Sequence, residues 1–142
     1  MASDATERIV FDTNTLVSGY LFPLSTPGQA VEFGLNSHRI LMSMEIVKEL
    51  ADVLRREKFD RFLSLGRRDE LIAKSILQSE FVATTAIVAD CRDPADNKYL
   101  ELAIDGHTSA IVSGDADLLT LHPFRGIPIL SARDYLSRYT AV

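Results

Sequence analysis

Short β-branched, apolar runs alternate along this chain with segments whose apolar residues recur at helical spacing. That alternation constrains the fold more than any single residue does. Arg8–Phe11, Arg39–Met42 and residues 81–83, 110–113 and 127–130 read as short buried strands. Residues 15–20 suit a short helix. Thr26-Pro-Gly-Gln29 reads as a helix start, with Thr26 as cap, Pro27 at the first position and Gln29 reaching back. Residues 44–57 put Val47, Leu50 and Leu54 on one helical face, widened by Ile46 and Val53. Further helices are expected over residues 69–78, from Pro94 onward, and after Ser131, which caps a last helix through Tyr135 and Leu136. Strands separated by helices predict an α/β domain with a parallel sheet covered on both faces. The order of the strands is not fixed by this pattern.

The 142 residues fit one domain spanning 1–142, with residues 1–7 expected to form a flexible tail. The start, Met1-Ala-Ser-Asp-Ala-Thr-Glu7, has neither the basic nor the apolar region of a signal peptide. No apolar run approaches the roughly 20 residues that cross a bilayer. The single cysteine, Cys91, cannot form an internal disulfide, which fits a reducing, cytoplasmic setting. Cys91 itself reads as a small, partly buried residue. His38, His107 and His122 lack zinc-like spacing and read as structural.

Acidic residues stand where the chain leaves its strands. Asp12 follows the first strand and Asp115 follows the fourth. Asp96 lies in the first turn after Asp93-Pro94. A carboxylate directly behind a buried strand loses water without an obvious cation to replace it. On one parallel sheet such groups meet at the C-terminal edge, where open α/β folds bind ligands. Each has a plainer reading as well. Asp12 suits an Asx-turn. Asp93 suits an N-cap before Pro94, and that is its better single explanation. Asp96 also favours a helix dipole, but it shares the face of Tyr99, Leu100 and Ala103, which is the face that packs on the sheet. Either Asp115 or Asp117 suits a cap for the segment that follows, Asp115 being the better ligand candidate. Glu49 lies on the polar line of Glu45, Asp52 and Arg56 while bordering the buried stripe at Ile46 and Val53.

Magnitudes favour a cation if these acids meet. Two carboxylates about 5 Å apart repel by on the order of 3 kcal/mol at an effective dielectric of ~20. Several together therefore need protonation or a bound cation. All-oxygen ligation suits Mg²⁺ or Mn²⁺, and such ions serve phosphoryl transfer or phosphodiester hydrolysis. The net charge of −5 argues against a nucleic-acid partner on its face. Setting aside Asp12, Glu49, Asp93, Asp96, Asp115 and Asp117 turns it to +1 for the remainder. The charge excludes nothing.

Taken together, Val10-Phe-Asp-Thr-Asn14, the stretch from Ser43 through Glu49-Leu50, Asp93-Pro-Ala-Asp-Asn97 and Ser113-Gly-Asp-Ala-Asp-Leu-Leu119 resemble the PIN-domain ribonucleases, in particular VapC-like toxins of type II toxin–antitoxin pairs. The resemblance covers nearly the whole chain and rests on the order and spacing of these motifs. It implies a three-layer α/β/α domain with a parallel sheet of about five strands, and an acidic Mg²⁺/Mn²⁺ pocket that hydrolyses RNA. By position it assigns Asp12, Glu49, Asp96 and Asp115 to the acidic quartet. Asp93 and Asp117 match extra acids of one branch, and Asn14 and Ser113 match residues that orient the carboxylates. Ser113 stands where a threonine is common. An antitoxin protein and a homodimer are the partners implied.

Three alternatives accompany that expectation. One is a PIN nuclease of RNA processing that is not a toxin. Another is a catalytically silent protein-binding module. The third is a haloacid-dehalogenase-like phosphatase, disfavoured because Asn14 and Leu16 replace its second aspartate and its threonine. For RNA contacts, the densest basic stretch holds Arg55, Arg56, Lys58, Arg61, Arg67 and Arg68 with Phe59 and Phe62. Glu57, Asp60, Asp69 and Glu70 dilute it, so a solvated helix–loop–helix surface with the phenylalanines in the core is the better reading, and an antitoxin dock is a further alternative.

Overall fold

The structure, a computed structural model, describes residues 6–140. Its five strands are β1 (Arg8–Phe11), β2 (Arg39–Met42), β3 (Glu80–Phe81), β4 (Ala110–Val112) and β5 (Ile129–Leu130). They form one all-parallel sheet in the order β3-β2-β1-β4-β5. Helices α1 (Thr13–Leu21) and α2 (Thr26–Ser37) join β1 to β2, and α3 (Met44–Leu54) and α4 (Leu65–Leu77) join β2 to β3. A long irregular segment and α5 (Asn97–Asp105) return the chain to β4, on the other side of β1. The short α6 (Ala116–Leu119) leads toward β5, and α7 (Ala132–Thr140) follows it. The strand order therefore reverses between β1 and β4, the place where open α/β sheets hold their ligands.

Three layers follow from strand alternation. Ile9 pairs with Ile40 in register, so Phe11 and Leu41 point to opposite faces. Phe11 meets the ring of Tyr135 on α7 edge-on, with centroids 5.6 Å apart. On that same face α2 approaches so closely that a Cβ at Gly34 would lie 3.0 Å from the Phe11 ring. On the other face Leu41 meets the end of α5, where a Cβ at Gly106 would lie 2.4 Å from it. This is the α/β/α arrangement that the resemblance implied. Ile9, Val10, Leu100, Ala110, Ile111 and Val112 are fully buried in the main core. A second apolar cluster, including Val17, Leu50, Leu54, Phe59 and Leu71, binds α3 and α4 to α1.

Several element boundaries differ from those expected, and hydrogen bonds explain most of them. Helix α1 starts at Thr13 because the Asp12 side chain accepts the Thr15 N–H. For α2 the cap is Ser25, not Thr26. Its hydroxyl accepts from the Gly28 N–H at 3.1 Å, and Gln29 donates to the Leu24 carbonyl. Helix α3 stops at Leu54, before a separate 3-10 turn over Glu57–Phe59. Ser64 caps α4, which starts at Leu65 rather than at residue 69. The Pro94–Asp96 segment is a 3-10 turn preceding α5. Edge strand β3 begins at Glu80, whose carboxylate pairs with Arg8 at 2.6 Å and Arg39 at 3.5 Å. Strands β4 and β5 are shorter than expected at one end. Ser131 does cap α7, accepting from the Asp134 N–H.

Most of the tail expected over residues 1–7 lies outside the described residues. Glu7, which is described, already accepts the Arg39 N–H at its carbonyl. Among the described residues no helix is long and apolar enough to cross a membrane.

Candidate active site

The reversal point brings two acids together through one buried hydroxyl. Asp12, only 4% exposed, ends β1, and the fully buried Ser113 follows β4. The Asp12 N–H donates to the Val112 carbonyl at 3.0 Å, fixing the two strand ends side by side. The Ser113 hydroxyl donates to Asp12 Oδ2 at 2.5 Å and accepts the Asp115 N–H at 2.9 Å. Asp12 Oδ1 accepts from the Thr15 N–H at 2.8 Å. Each carboxylate oxygen keeps a free lone pair, so Asp12 is held in place with acceptor capacity to spare.

Asp96 joins them from the turn before α5. That turn is anchored from behind, where the Asn97 side chain accepts the Cys91 N–H at 2.9 Å. Burial pushes the Asp96 carboxyl up to about 7, with the neighbouring carboxylate of Asp115 and the charge of Asp93 adding to the rise against a pull downward from Lys98. Asp96 and Asp115 thus crowd each other as anions.

Glu49 enters from α3 and is gripped on all sides. Tyr99, only 2% exposed, donates its hydroxyl proton to Glu49 Oε1 and accepts the Thr13 N–H at 3.0 Å. Thr13 Oγ1 lies 2.7 Å from the same phenol oxygen. On the other side Lys98 Nζ lies 3.0 Å from Glu49 Oε2. Burial works to raise the Glu49 carboxyl, but the hydrogen bonds from Thr13, Tyr99 and Lys98 outweigh it and hold the group low. Glu49 is therefore an anion.

One cleft of about 100 Å³ is lined by Asp12, Asn14, Glu49, Val53, Arg56, Asp96, Tyr99 and Asp115. A wider hollow past Asp12 and Asp115 continues it along Asn14, Thr15, Ser18, Pro27 and Gly114. All four acids of the expected quartet line the cleft, with Asn14 at its exposed rim and Ser113 beneath it. Asp93 and Asp117 do not line it. The Asp93 side chain accepts the Ala95 N–H at 3.0 Å as a cap, and Asp117 donates its backbone N–H to Asp115 Oδ1 at 3.2 Å.

Thr13, Lys98 and Tyr99 were not among the residues expected from sequence. Half of the six-residue basic stretch is engaged elsewhere. Arg68 is buried and bonded to Asp60 and the Leu63 carbonyl, Arg67 pairs with Glu70, and Arg55 lies 3.9 Å from Asp69. Phe59 is core, whereas Phe62 is exposed. Arg56 alone of this stretch reaches the acidic cleft.

The cleft's anionic donors are all carboxylates, accompanied by the Asn14 amide and the Tyr99 phenol, an oxygen-rich set that suits Mg²⁺ or Mn²⁺. Among the described residues, no group of three or more His, Cys, Asp or Glu side chains stands close enough together, as placed, to hold a metal ion. The fit rests instead on the donor set, four carboxylates lining one cleft, whose mutual repulsion a divalent cation would relieve.

Comparison with known proteins agrees with this architecture. No curated protein matches the chain at a significant level. VapBC2 from Rickettsia felis, solved bound to a DNA fragment from its promoter, superposes with a TM-score of 0.52 at 15% identity, over 87% of this chain and 97% of that one. PAE2754 from Pyrobaculum aerophilum superposes with a TM-score of 0.59 at 12% identity, over 96% of this chain and 91% of that one. At such identities the likeness concerns the fold. The family model for the PIN domain matches residues 8–117, from the start of β1 to the second residue beyond Asp115. With that match spanning most of its length, the chain belongs to the PIN domain family.

Proposed function

We propose that this protein is a Mg²⁺- or Mn²⁺-dependent endoribonuclease and the toxin of a toxin–antitoxin pair. The observation that carries the reading is the meeting of Asp12, Glu49, Asp96 and Asp115, from four separate segments, around one cleft. Membership of the PIN domain family supports a nuclease. The likeness in fold to VapBC2 supports the toxin role and a protein antitoxin as partner.

Asp12, Asp96 and Asp115 would hold the metal. A divalent cation, when bound, supplies positive charge to phosphate oxygens and helps water act as a nucleophile at neutral pH. The chain's own residues prepare that chemistry. Ser113 and the Thr15 N–H hold Asp12 in one rotamer, and Ser113 also fixes the backbone of Asp115. Glu49, kept ionised by Tyr99 and Lys98, faces the cleft as a fixed negative charge that can orient a water. At the rim Arg56 offers a cation to the RNA backbone.

Purified protein should cleave RNA with Mn²⁺ and stop when a chelator is added. Asp12→Asn and Asp115→Asn should each lower the rate by on the order of a hundredfold or more. Cleavage that continues in chelator, or that both variants retain in full, would count against the assignment.

A further inference from the structure

We propose that Lys98 is a built-in cation of the cleft, so that the site takes one divalent ion rather than two. The inference rests on the metal-dependent reading above and specifies its ion count.

Lys98 is unusually confined for a lysine. Its side chain is only 15% exposed, whereas lysines seldom leave water unless paired. Nζ lies 3.0 Å from Glu49 Oε2, donates to the Ala95 carbonyl as well, and stands 5.1 Å above the Tyr99 ring. Ala95 and Tyr99 flank the lysine in the chain, so the turn before α5 and the first turn of α5 itself hold the ammonium toward α3.

The consequence falls on Glu49. One of its oxygens is paired with the ammonium, and the other accepts the Tyr99 proton. A divalent ion bound by Glu49 would sit just across that carboxylate from the ammonium, and like charges at such separations repel strongly. Asp12 differs, because its partners are the neutral Thr15 N–H and Ser113 hydroxyl. Charge balance agrees. Of the four carboxylates lining the cleft, Glu49 is paired with Lys98 from behind and Arg56 lines the cleft beside them, so one divalent ion neutralises what is left. A second would make the cleft net positive.

Counting Mn²⁺ on the full chain, by isothermal calorimetry and by electron paramagnetic resonance of the bound ion, tests this directly. The unaltered protein should bind one Mn²⁺. Lys98→Met should bind two, with circular dichroism checking that it is folded. Lys98→Arg, which keeps the charge, should return the count to one. Two ions on the unaltered protein, or a count of one on folded Lys98→Met, would overturn the proposal while leaving the metal-dependent reading intact. Absence of any Mn²⁺ binding to the unaltered protein would overturn both. The count on the unaltered chain stays decisive even where Lys98→Met fails to fold.

Discussion

The phenol oxygen of Tyr99 accepts a hydrogen bond from the Thr13 amide and donates one to Glu49, tying the start of α1 to α3 through α5. Burial first, and then the hydrogen bond to Glu49, hold the phenol well above its ordinary range, so it remains a donor at neutral pH. Tyr99→Phe keeps the ring but leaves a buried amide without its acceptor. It is expected to cost about 1–3 kcal/mol in urea-induced unfolding and to loosen Glu49. Unchanged stability would show that the hydroxyl holds nothing. The role of this residue was hidden in the sequence because its partner is 50 positions away, and helical spacing alone makes Tyr99 a core residue. Asp12 and Asp115 were legible for the opposite reason. Asp12 follows β1 directly and Asp115 comes three residues after the end of β4, so strand direction carries both to the sheet's C-terminal edge.

At the scale of elements, α5 does two jobs. Its buried side packs on the sheet, while Asp105 and Glu101 hold the irregular segment that follows β3. Asp105 accepts the Thr85 and Ala86 N–H groups at 2.6 and 3.0 Å, and Glu101 accepts that of Val88 at 3.0 Å. The bonds from Ala86 and then Thr85 pull the Asp105 carboxyl below its ordinary value of 3.8. A lowered acid stabilises the fold above its unfolded value and stops doing so as pH falls through the folded one. Protection of the Thr85 and Ala86 amides from hydrogen exchange should therefore persist at neutral pH and fade only below about pH 4. Asp105→Ala should remove it at every pH. This segment, and the early start of α4, were poorly legible because side-chain caps rather than apolar periodicity shape them. Ser64 begins α4 ahead of a run, Gly66-Arg-Arg-Asp-Glu70, with no apolar stripe to announce it. The α/β layering, by contrast, was written in the alternation of strands and helices, whereas the strand order came only from the observed pairings.

For the molecule as a whole, α7 closes one face of the sheet at an aromatic cluster around Tyr135, whose hydroxyl lies 2.7 Å from His38 Nδ1. Burial lowers the His38 value, with Glu7 pulling weakly the other way. The unfolded chain therefore takes up that proton first. Thermal stability should hold above about pH 6.5 and decline as pH falls through the lowered His38 value, with a shallower decline in His38→Gln. Equal slopes for the two proteins would exclude His38 as the source. The joining of β1 to β4 reaches furthest of all. Asp12 finds Ser113 across 101 positions, so a chain still on the ribosome carries this aspartate long before it has the hydroxyl that orients it. The cleft therefore cannot be completed early in translation, because the hydroxyl that positions Asp12 is made only after more than two thirds of the chain.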